Sequence, residues 1–445
     1  MNFQAFKNLV IEKCAQMGIE EYELYYQSAE STSVSAFQHE INQFTGSMEG
    51  GVCFRCIVGG KMGYASTEAL TAEQAEKIVE KAADNASVLE AEEQVFLCES
   101  GQEYAALEDR GYEMPTTEQM VSTVLATQEK LYAADPAVID GCQTQGVAES
   151  SEIAIYNSKG LDLHSKTNLS GLVVVAVVSD GQEMANDFQI KLAKLDTIDT
   201  DKLTAEAVKC ALGKLGGDVA PTGQYSVVFS PEAMSDLLQT YSSIFSSRAA
   251  QKGLSKLLNK EGEKIASDVV TLVDDPFHPE APMPRAFDAE GSPTYKKNLI
   301  ENGVFKTLLY NLKTAAVDGK KTTGNASKSD YASAVGISPF TMYLAAGDMT
   351  EEQLLAQAGN GVYINSLGGL HAGANAVSGD FSLQSAGFMI EDGKKTTAVK
   401  SFTVAGNFYD VLKNIKAVAS NLELPGMAHF GAPSVLVEGL SIAGK

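Results

Sequence analysis

Gly379-Asp-Phe-Ser-Leu-Gln-Ser-Ala-Gly-Phe-Met-Ile-Glu-Asp-Gly393 is the most informative stretch of this chain, and Ala405-Gly-Asn407 follows it closely. An Asx-Gly dipeptide after an apolar run is a strong signal for a tight β-hairpin turn. We therefore predict a hairpin at Asp392-Gly393. Ile300-Glu-Asn-Gly303 repeats the pattern and predicts a second hairpin, although the shared phrase is too short to establish a duplication.

A cluster of chain breakers lies N-terminal to these hairpins. Gly213-Lys-Leu-Gly-Gly-Asp-Val-Ala-Pro-Thr-Gly223 concentrates Gly and Pro after a predicted helix, which suits a domain boundary. Tyr225 to Phe229 then reads as a strand. Ser230 and Pro231 provide an N-cap and a first-turn proline for a helix through about Phe245. We place an N-terminal domain at residues 1–215 and a C-terminal domain at residues 220–445.

Strands dominate both halves. In the first half, Tyr22 to Ser28 and Ser31 to Gln38 are rich in aromatic and β-branched residues, and Gly59-Gly60 predicts a tight hairpin. In the second half, Asn407 can cap a helix containing Leu412, Ile415 and Val418. Because strands outnumber helices and do not alternate with them regularly, the sequence predicts the α+β class.

Composition excludes several classes of function. The chain has 445 residues, a net charge of -23 and a pI of about 4.6, so it repels the phosphate backbone and we expect no direct binding of nucleic acid. The longest apolar run, Leu172 to Val178, is too short to cross a bilayer, so we expect no membrane span. Six scattered cysteines read as reduced thiols, and the N-terminus lacks a signal-peptide pattern. Cytoplasmic residence is the default expectation.

A series of short motifs resembles the TldD/PmbA family in the form carried by its PmbA (TldE) branch. Each motif alone is weak, but their order and spacing are those of the family. They are Gly51-Val-Cys-Phe-Arg55, Gly63-Tyr-Ala-Ser-Thr67, Phe287-Asp-Ala-Glu-Gly291, Ile300-Glu-Asn-Gly-Val304, Thr323-Gly-Asn325, Gly379-Asp-Phe-Ser382, Ala405-Gly-Asn407 and Leu440-Ser-Ile-Ala-Gly444.

The resemblance implies two domains, of which the second is a multi-stranded, barrel-like β structure. Members are named as modulators of DNA gyrase, and the family's activity is that of a two-subunit metallopeptidase acting on small or unfolded peptides. In the TldD-type subunit, zinc is held by a His-Glu-x-x-x-His helix after a strand corresponding to Tyr225 to Phe229. Here the corresponding helix, Met234 to Phe245, contains no histidine. No catalytic residue, metal or cofactor is therefore assigned to this chain, and zinc is expected in a TldD-type partner.

For the other residue patterns we favour a structural role over a catalytic or metal-binding one. His39-Glu40 is not followed by a second histidine at the spacing of a zinc helix, so it reads as a surface strand pair. Cys53 and Cys56 are three residues apart on a predicted strand, where side chains point to opposite faces. His164, His371 and His429 are isolated in sequence and read as structural histidines.

One loop gathers a histidine and carboxylates. Asp274 to Pro284 contains His278, and Asp288 and Glu290 follow it. His278, Asp288 and Glu290 form a candidate metal or hydrolytic site. The four prolines of the segment equally describe an extended, solvated loop with no ligand role.

Our leading hypothesis is a subunit without zinc that shapes the peptide site of a TldD-type partner. Strand addition could hold an unfolded peptide without demanding a sequence. The candidate cleft-lining residues are Thr323, Gly324, Asn325, Ser327, Gly379, Asp380, Phe381 and Ser382. The alternatives are a stand-alone protein that modulates gyrase or a toxin-antitoxin system by protein contact, and an independent hydrolase using His278 or another site outside the family pattern. The sequence leaves open whether the isolated chain forms a homodimer.

Overall fold

The computed structural model describes residues 1–90, 95–108 and 113–445. In the first half, six strands form one antiparallel sheet in the order β3-β2-β1-β4-β5-β6. These strands are β1 (Glu21–Phe37), β2 (Glu40–Val58), β3 (Lys61–Thr67), β4 (Gln143–Asn157), β5 (Asp162–Ser179) and β6 (Met184–Leu192). The helices of this half are α1 (Phe3–Met17), α2 (Ala72–Ser87), α3 (Thr117–Ala133) and α4 (Thr200–Leu212), with a 3-10 turn at Leu195–Thr197.

Two helix pairs cover different parts of this sheet. Helices α1 and α2 pack together over β2 and β3, whereas α3 and α4 cover β4, β5 and β6. Each helix begins at a polar cap, and Gly18 ends α1 in the left-handed conformation. The sheet thus buries two separate apolar clusters and leaves the far edge of β6 free of a further described strand.

Two predictions for this half need correction. Tyr22 to Ser28 and Ser31 to Phe37 belong to one strand, β1, because β2 and β4 pair with it on both sides, and Gln38 lies in the turn that follows. His39 lies in the turn between β1 and β2 with a φ of 66°, and its ring lies 2.9 Å from a carboxylate oxygen of Glu129. It is therefore a turn residue and not a strand residue.

The second half contains thirteen short or medium strands among the described residues. They are β7 (Gly223–Phe229), β8 (Leu272–Asp274), β9 (Lys297–Glu301), β10 (Val304–Phe305), β11 (Ala326–Ser327), β12 (Gly336–Ile337), β13 (Met342–Leu344), β14 (Gly361–Gly368), β15 (Asp380–Glu391), β16 (Lys394–Asn407), β17 (Ile415–Val418), β18 (Phe430–Gly431) and β19 (Val435–Ala443). The helices are α5 (Pro231–Tyr241), α6 (Ser247–Gln251), α7 (Leu312–Val317), α8 (Glu351–Ala358), α9 (Leu370–Gly373) and α10 (Phe408–Asn414), with a 3-10 turn at Ser242–Phe245.

Five of these strands close into a barrel. The order β16-β15-β14-β7-β19 is completed by pairing of β16 with β19, and β17 adds to the other end of β19. A second sheet, β10-β9-β8-β13-β18, packs around the same apolar cluster. Closure removes exposed edges, and the fold is the mixed α and β architecture that the sequence predicts.

Both hairpin predictions in this half are confirmed. Asn302 and Gly303 have φ angles of 48° and 79°, and Asp392 and Gly393 have φ angles of 48° and 75°. Positive φ at both central residues is the geometry of a type I′ hairpin turn. The helix capped by Asn407 ends earlier than predicted, because Ile415–Val418 pairs with β19 as a strand. None of the described helices combines the length and apolar character needed to cross a bilayer.

Candidate functional site

A cleft of about 1570 Å³ lies between the two halves of the chain. One wall is built by β6 and α4 of the first half. The second half contributes α5, the start of α8 and residues 420–430. Because both halves contribute, the cleft is a feature of the assembled chain, and its size is sufficient for an extended peptide segment.

Helix α5 forms the floor of this cleft. Strand β7 leads into it, the Ser230 side chain accepts a hydrogen bond from the Ala233 amide, and Pro231 occupies the first turn. The apolar face of the helix, which includes Met234 and Leu237, is buried in the barrel core. The opposite face presents Glu232, Asp236 and Gln239 to the cleft, at the spacing expected for one side of a helix.

The carboxyl groups of this face have raised pKa values. Desolvation within the concave walls raises the pKa of Glu232 to about 7, and the negative charges of Asp187 and Asp236 add to it. Glu232 is nevertheless exposed at the surface of the open cleft. Desolvation alone raises the pKa of Asp236 to about 6. Near neutral pH these groups are therefore mixtures of acid and carboxylate, able to donate as well as accept hydrogen bonds.

In the same cleft, desolvation also raises the pKa of Glu423, with help from the charges of Glu206 and Glu351. The cleft lining contributed by the second half thus carries three carboxyl groups with raised pKa values, those of Glu232, Asp236 and Glu423. A strongly perturbed carboxyl group within a cleft is a frequent mark of a functional site.

Glu351, at the N-terminus of α8, behaves in the opposite way. Its carboxylate accepts hydrogen bonds from Ser434 Oγ at 2.6 Å and Tyr363 OH at 3.2 Å, and it lies 2.7 Å from Lys395 Nζ. Burial would raise the pKa of Glu351, but the hydrogen bonds from Lys395 and Ser434 outweigh it and lower the pKa. The Glu351 carboxylate therefore stays negatively charged and links the start of α8 to Tyr363, Lys395 and Ser434 in the cleft lining.

The residues of the cleft do not fit a zinc site of the His-Glu-x-x-x-His type. The face of helix α5 that lines the cleft carries Ser235, Asp236 and Gln239, and the helix contains no histidine. His429 is in the cleft wall, but its Nδ1 lies 3.3 Å from the Phe340 carbonyl oxygen. Within residues 1–90, 95–108 and 113–445, no three His, Cys, Asp or Glu side chains are grouped so as to hold a metal ion. Zinc needs such a convergent set.

The predicted segment around Thr323 is part of a buried polar network. Thr323 Oγ1 donates to Asn325 Oδ1 at 2.9 Å, and Asn325 Nδ2 donates to Asp274 Oδ2 at 2.8 Å. Gly324 adopts a φ of 66°, where a Cβ would lie 2.2 Å from the Pro293 carbonyl oxygen. Ser327 is half-buried in β11. None of these residues is in the walls of the large cleft, and their role in lining a peptide site stays a prediction.

The segment Gly379 to Ser382 joins the barrel to its helices. Gly379 has a φ of 88°, and a Cβ there would lie 2.6 Å from the Tyr409 ring. Asp380 is exposed, and its carboxylate accepts a hydrogen bond from Asn407 Nδ2 at 2.7 Å. Phe381 is buried in the core, whereas Ser382 is exposed on β15. These four residues also lie outside the walls of the large cleft, and a peptide-lining role for them stays a prediction.

The three residues of the predicted loop site have separate partners. His278 packs edge-on against Tyr343 and accepts a hydrogen bond from the Glu280 amide. Asp288 is buried and accepts hydrogen bonds from three backbone amides, those of Glu290, Ser292 and Ala326, each at 2.9 Å. Desolvation and the charge of Glu290 raise the pKa of Asp288 to about 7.

Glu290 connects the two halves. Its carboxylate lies 3.5 Å from Arg55 Nη1 on β2, and Arg55 Nε donates to Glu23 at 2.8 Å. All three side chains are buried. Glu290 therefore joins the two halves, whereas Asp288 binds backbone amides within the second half. A catalytic role for His278, Asp288 and Glu290 stays untested.

Sequence reasoning did not single out the carboxyl groups of the cleft. Glu232 and Asp236 are four residues apart on a helix whose other face is apolar, and this pattern was available in the sequence. Glu423 lies in an irregular segment nearly two hundred residues away, and only the fold brings it to the same cleft.

Three family models match the chain in order. They are PmbA/TldA metallopeptidase domain 1 over residues 22–86, the central domain over residues 112–215 and the C-terminal domain over residues 222–444. The last model alone covers half of the chain.

Solved structures and curated relatives agree with this match. The structure of a Thermotoga maritima protein named as a modulator of a DNA gyrase has a TM-score of 0.90 and 29% identity, covering 99% of this chain and 100% of that one. TldE from Thermococcus kodakarensis has the same fold, with a TM-score of 0.88 at 24% identity, 99% coverage of this chain and 100% of that one. A Haemophilus influenzae protein named metalloprotease PmbA homolog is 26% identical over 425 residues, covering 93% of this chain and 90% of its own length. The chain belongs to the PmbA/TldD metallopeptidase family.

Proposed function

We propose that this chain is a TldE/PmbA-type subunit that binds no zinc and that works with a TldD-type zinc peptidase in the cytoplasm. The TldD-type partner supplies the metal and the water that attacks the peptide bond. This chain contributes part of the cleft that binds small or unfolded peptides. The observation that carries the proposal is helix α5, which lines the large cleft with Ser235, Asp236 and Gln239 and contains no histidine.

The chemistry of the cleft supports a peptide as its occupant. Gln239 and the partly protonated Glu232 and Asp236 can each donate and accept hydrogen bonds, which suits a backbone with alternating N–H and C=O groups. The lining mixes polar side chains with exposed apolar ones such as Phe188, so it does not select one side-chain class. A cleft of this kind tolerates many sequences, as a general peptide-trimming assembly requires.

The first test is co-expression with a TldD-type protein that carries the His-Glu-x-x-x-His motif. Size-exclusion chromatography with light scattering measures association, and cleavage of an unstructured peptide measures activity. We expect a stable complex with peptidase activity well above that of either chain alone. A partner variant with glutamine in place of the motif's glutamate should form the complex but remain inactive.

A matched pair of variants tests whether the cleft contributes. Gln239→Arg places a large cation on the cleft floor, whereas Gln102→Arg makes the same exchange on an exposed loop outside the cleft. We expect Gln239→Arg to lower peptide cleavage by the complex and Gln102→Arg to leave it unchanged, with both complexes still assembled. Absence of association, or recovery of gyrase subunits without a peptidase partner in pull-downs, would overturn the proposal.

A further inference from the structure

Helix α6 and the residues around it carry positive charge in a chain that is strongly acidic. From Leu237 to Lys260 there is no Asp or Glu, although these two residue types account for 57 of the 445 residues of the chain. The same segment contains four cations, which are Arg248, Lys252, Lys256 and Lys260. In a protein with a net charge of -23, such a segment is a local region of positive potential.

Two of these cations have no carboxylate partner. Arg248 and Lys252 are exposed and lie one helical turn apart, so their side chains leave α6 on the same side. Arg248 Nη1 lies 3.5 Å from the Val335 carbonyl oxygen, and neither side chain forms an ion pair within the described residues. Lys260, by contrast, pairs with Glu263. The uncompensated positive charge of the segment therefore lies at α6.

Helix α7 adds a third unpaired cation. Gln251 Nε2 donates to the Thr314 carbonyl oxygen and to Asp318 Oδ1, each at 2.9 Å, so the end of α6 packs on the end of α7. Lys321 follows α7, is exposed and forms no ion pair in the part of the chain that the structure describes. Asp318 is half-buried, and its other carboxylate oxygen accepts a hydrogen bond from Tyr310 OH at 3.0 Å. The Asp318 carboxylate is thus held by internal donors.

Apolar side chains are exposed among these cations. Gly253 ends α6 with a φ of 73°, and the Leu254 amide then donates to the Ala249 carbonyl oxygen at 2.8 Å, which is the Schellman arrangement. Leu254 remains 47% exposed after this turn, and Val317 on α7 is 60% exposed. We call this surface the α6–α7 patch, defined by Arg248, Lys252, Leu254, Val317 and Lys321.

We propose that the α6–α7 patch binds an acidic segment of another protein in which apolar side chains alternate with Asp or Glu. Arg248 can hold one carboxylate through two parallel hydrogen bonds, and Lys252 and Lys321 attract further carboxylates as point charges. Leu254 and Val317 pack against the apolar side chains of the same segment. Complementary charge steers the encounter and fixes the register of the bound segment.

The charge of the whole chain favours a narrow protein segment over a broad anionic surface. A lipid bilayer or a nucleic acid duplex brings negative charge against the surroundings of the patch as well, and the chain carries a net charge of -23. A single peptide segment covers the patch alone and stays clear of most of that repulsion, which is screened beyond about 8 Å at physiological salt. This inference does not depend on the proposed peptidase role.

The probe is a short fluorescent peptide built of repeated Glu-Leu-Asp units, titrated with the purified full chain and followed by fluorescence anisotropy. We expect micromolar binding that weakens with added salt, because exposed ion pairs are screened. A peptide of Gln-Leu-Asn units has nearly the same shape and the same leucines but no side-chain charge. We expect it to bind at least about tenfold more weakly.

Charge reversal in two places locates the binding. Arg248→Glu/Lys252→Glu should weaken binding of the Glu-Leu-Asp peptide about tenfold or more, since two attractive contacts become repulsive. Lys77→Glu/Lys81→Glu is the matched control, because it makes the same change in net charge at exposed residues with similar spacing on α2. We expect it to leave the affinity unchanged. Leu254→Ser should weaken binding without altering its salt dependence, because it removes an apolar contact.

Circular dichroism should show that every variant is folded, since the substituted side chains are exposed. Arg248→Gln/Lys252→Gln removes the two charges without reversing them, and it should give an intermediate loss of affinity.

Three results overturn the proposal. The wild-type chain does not bind the Glu-Leu-Asp peptide at micromolar concentration; or Arg248→Glu/Lys252→Glu binds it as tightly as the wild type; or Lys77→Glu/Lys81→Glu loses as much affinity. Vesicles of phosphatidylcholine with phosphatidylserine provide the last comparison. If they bind more tightly than the peptide and lose binding in Arg248→Glu/Lys252→Glu, the patch serves a membrane surface and the proposal fails.

Discussion

Replacement of Arg55 by methionine should strongly destabilise this protein. Arg55 is 5% exposed, and its Nε lies 2.8 Å from Glu23 while its Nη1 lies 3.5 Å from Glu290. Burial alone would lower the pKa of Arg55, but the charges of Glu23 and Glu290 raise it above its usual range, so the guanidinium remains charged. Methionine retains much of the side-chain volume but removes the cation between the two carboxylates.

The expected loss of unfolding free energy in Arg55→Met follows from the two carboxylates that remain buried. Glu23 and Glu290 are 2% and 3% exposed, so Arg55→Met leaves two carboxylates without their buried cation. Removing one partner of a buried ion pair typically costs about 3–5 kcal/mol. By contrast, Lys77 and Glu73 form an exposed ion pair on α2, where solvent screens the charges, so Lys77→Met should cost far less. Both variants replace a cation by methionine, Arg55 in a buried ion pair and Lys77 in an exposed one.

Urea unfolding measures both costs, because a shift of the midpoint at constant slope converts directly into a change in unfolding free energy. Glu290→Gln in the Arg55→Met background should recover part of the loss, since it removes one of the two uncompensated charges. The Arg55 interaction also connects the halves, so Arg55→Met should accelerate proteolysis within Gly213–Gly223. A loss below about 1 kcal/mol would refute the reasoning.

Two further predictions concern the cleft and the barrel. The folded-state pKa of Glu232, about 7, lies above its usual 4.5, so its contribution to stability is fully present below about pH 4.5 and is lost as pH rises through about 7. Thermal denaturation should therefore show Glu232→Gln to be more stable than wild type at pH 8, with the difference vanishing toward pH 4.5; a difference independent of pH would contradict this. Gly379→Ala should cost more in urea unfolding than Gly181→Ala, because both glycines have a φ of 88° but only Gly379 has a ring, that of Tyr409, 2.6 Å from the added Cβ. Left-handed strain alone costs about 1–2 kcal/mol, so equal losses would count against the clash.

Local turn and cap chemistry made much of the fold predictable. The hairpins at Asn302-Gly303 and Asp392-Gly393 depend on two residues each, and helix α5 depends on Ser230 and Pro231 at its start. These features are set by neighbours in sequence, so the pattern alone suffices. Strand pairing on both sides, by contrast, made β1 one continuous strand where the sequence indicated two.

The candidate site was less predictable because its parts are distant in sequence. Glu290 was expected beside His278, yet its ion-pair partner Arg55 lies 235 residues away. The raised pKa of Glu232 depends on desolvation by walls from both halves and on the charge of Asp187. No local sequence pattern predicts this ion pair or this pKa shift, because both arise only when the two halves pack together.

The metal content of the isolated chain tests the central claim most directly. The chain should be purified without a histidine tag, incubated with zinc, passed through a desalting column and analysed by inductively coupled plasma mass spectrometry. Because α5 offers Ser235, Asp236 and Gln239 instead of imidazoles, we predict zinc at background level, and stoichiometric zinc only in a complex with a TldD-type partner. Stoichiometric zinc on the chain alone, with peptidase activity that a chelator abolishes, would contradict the account.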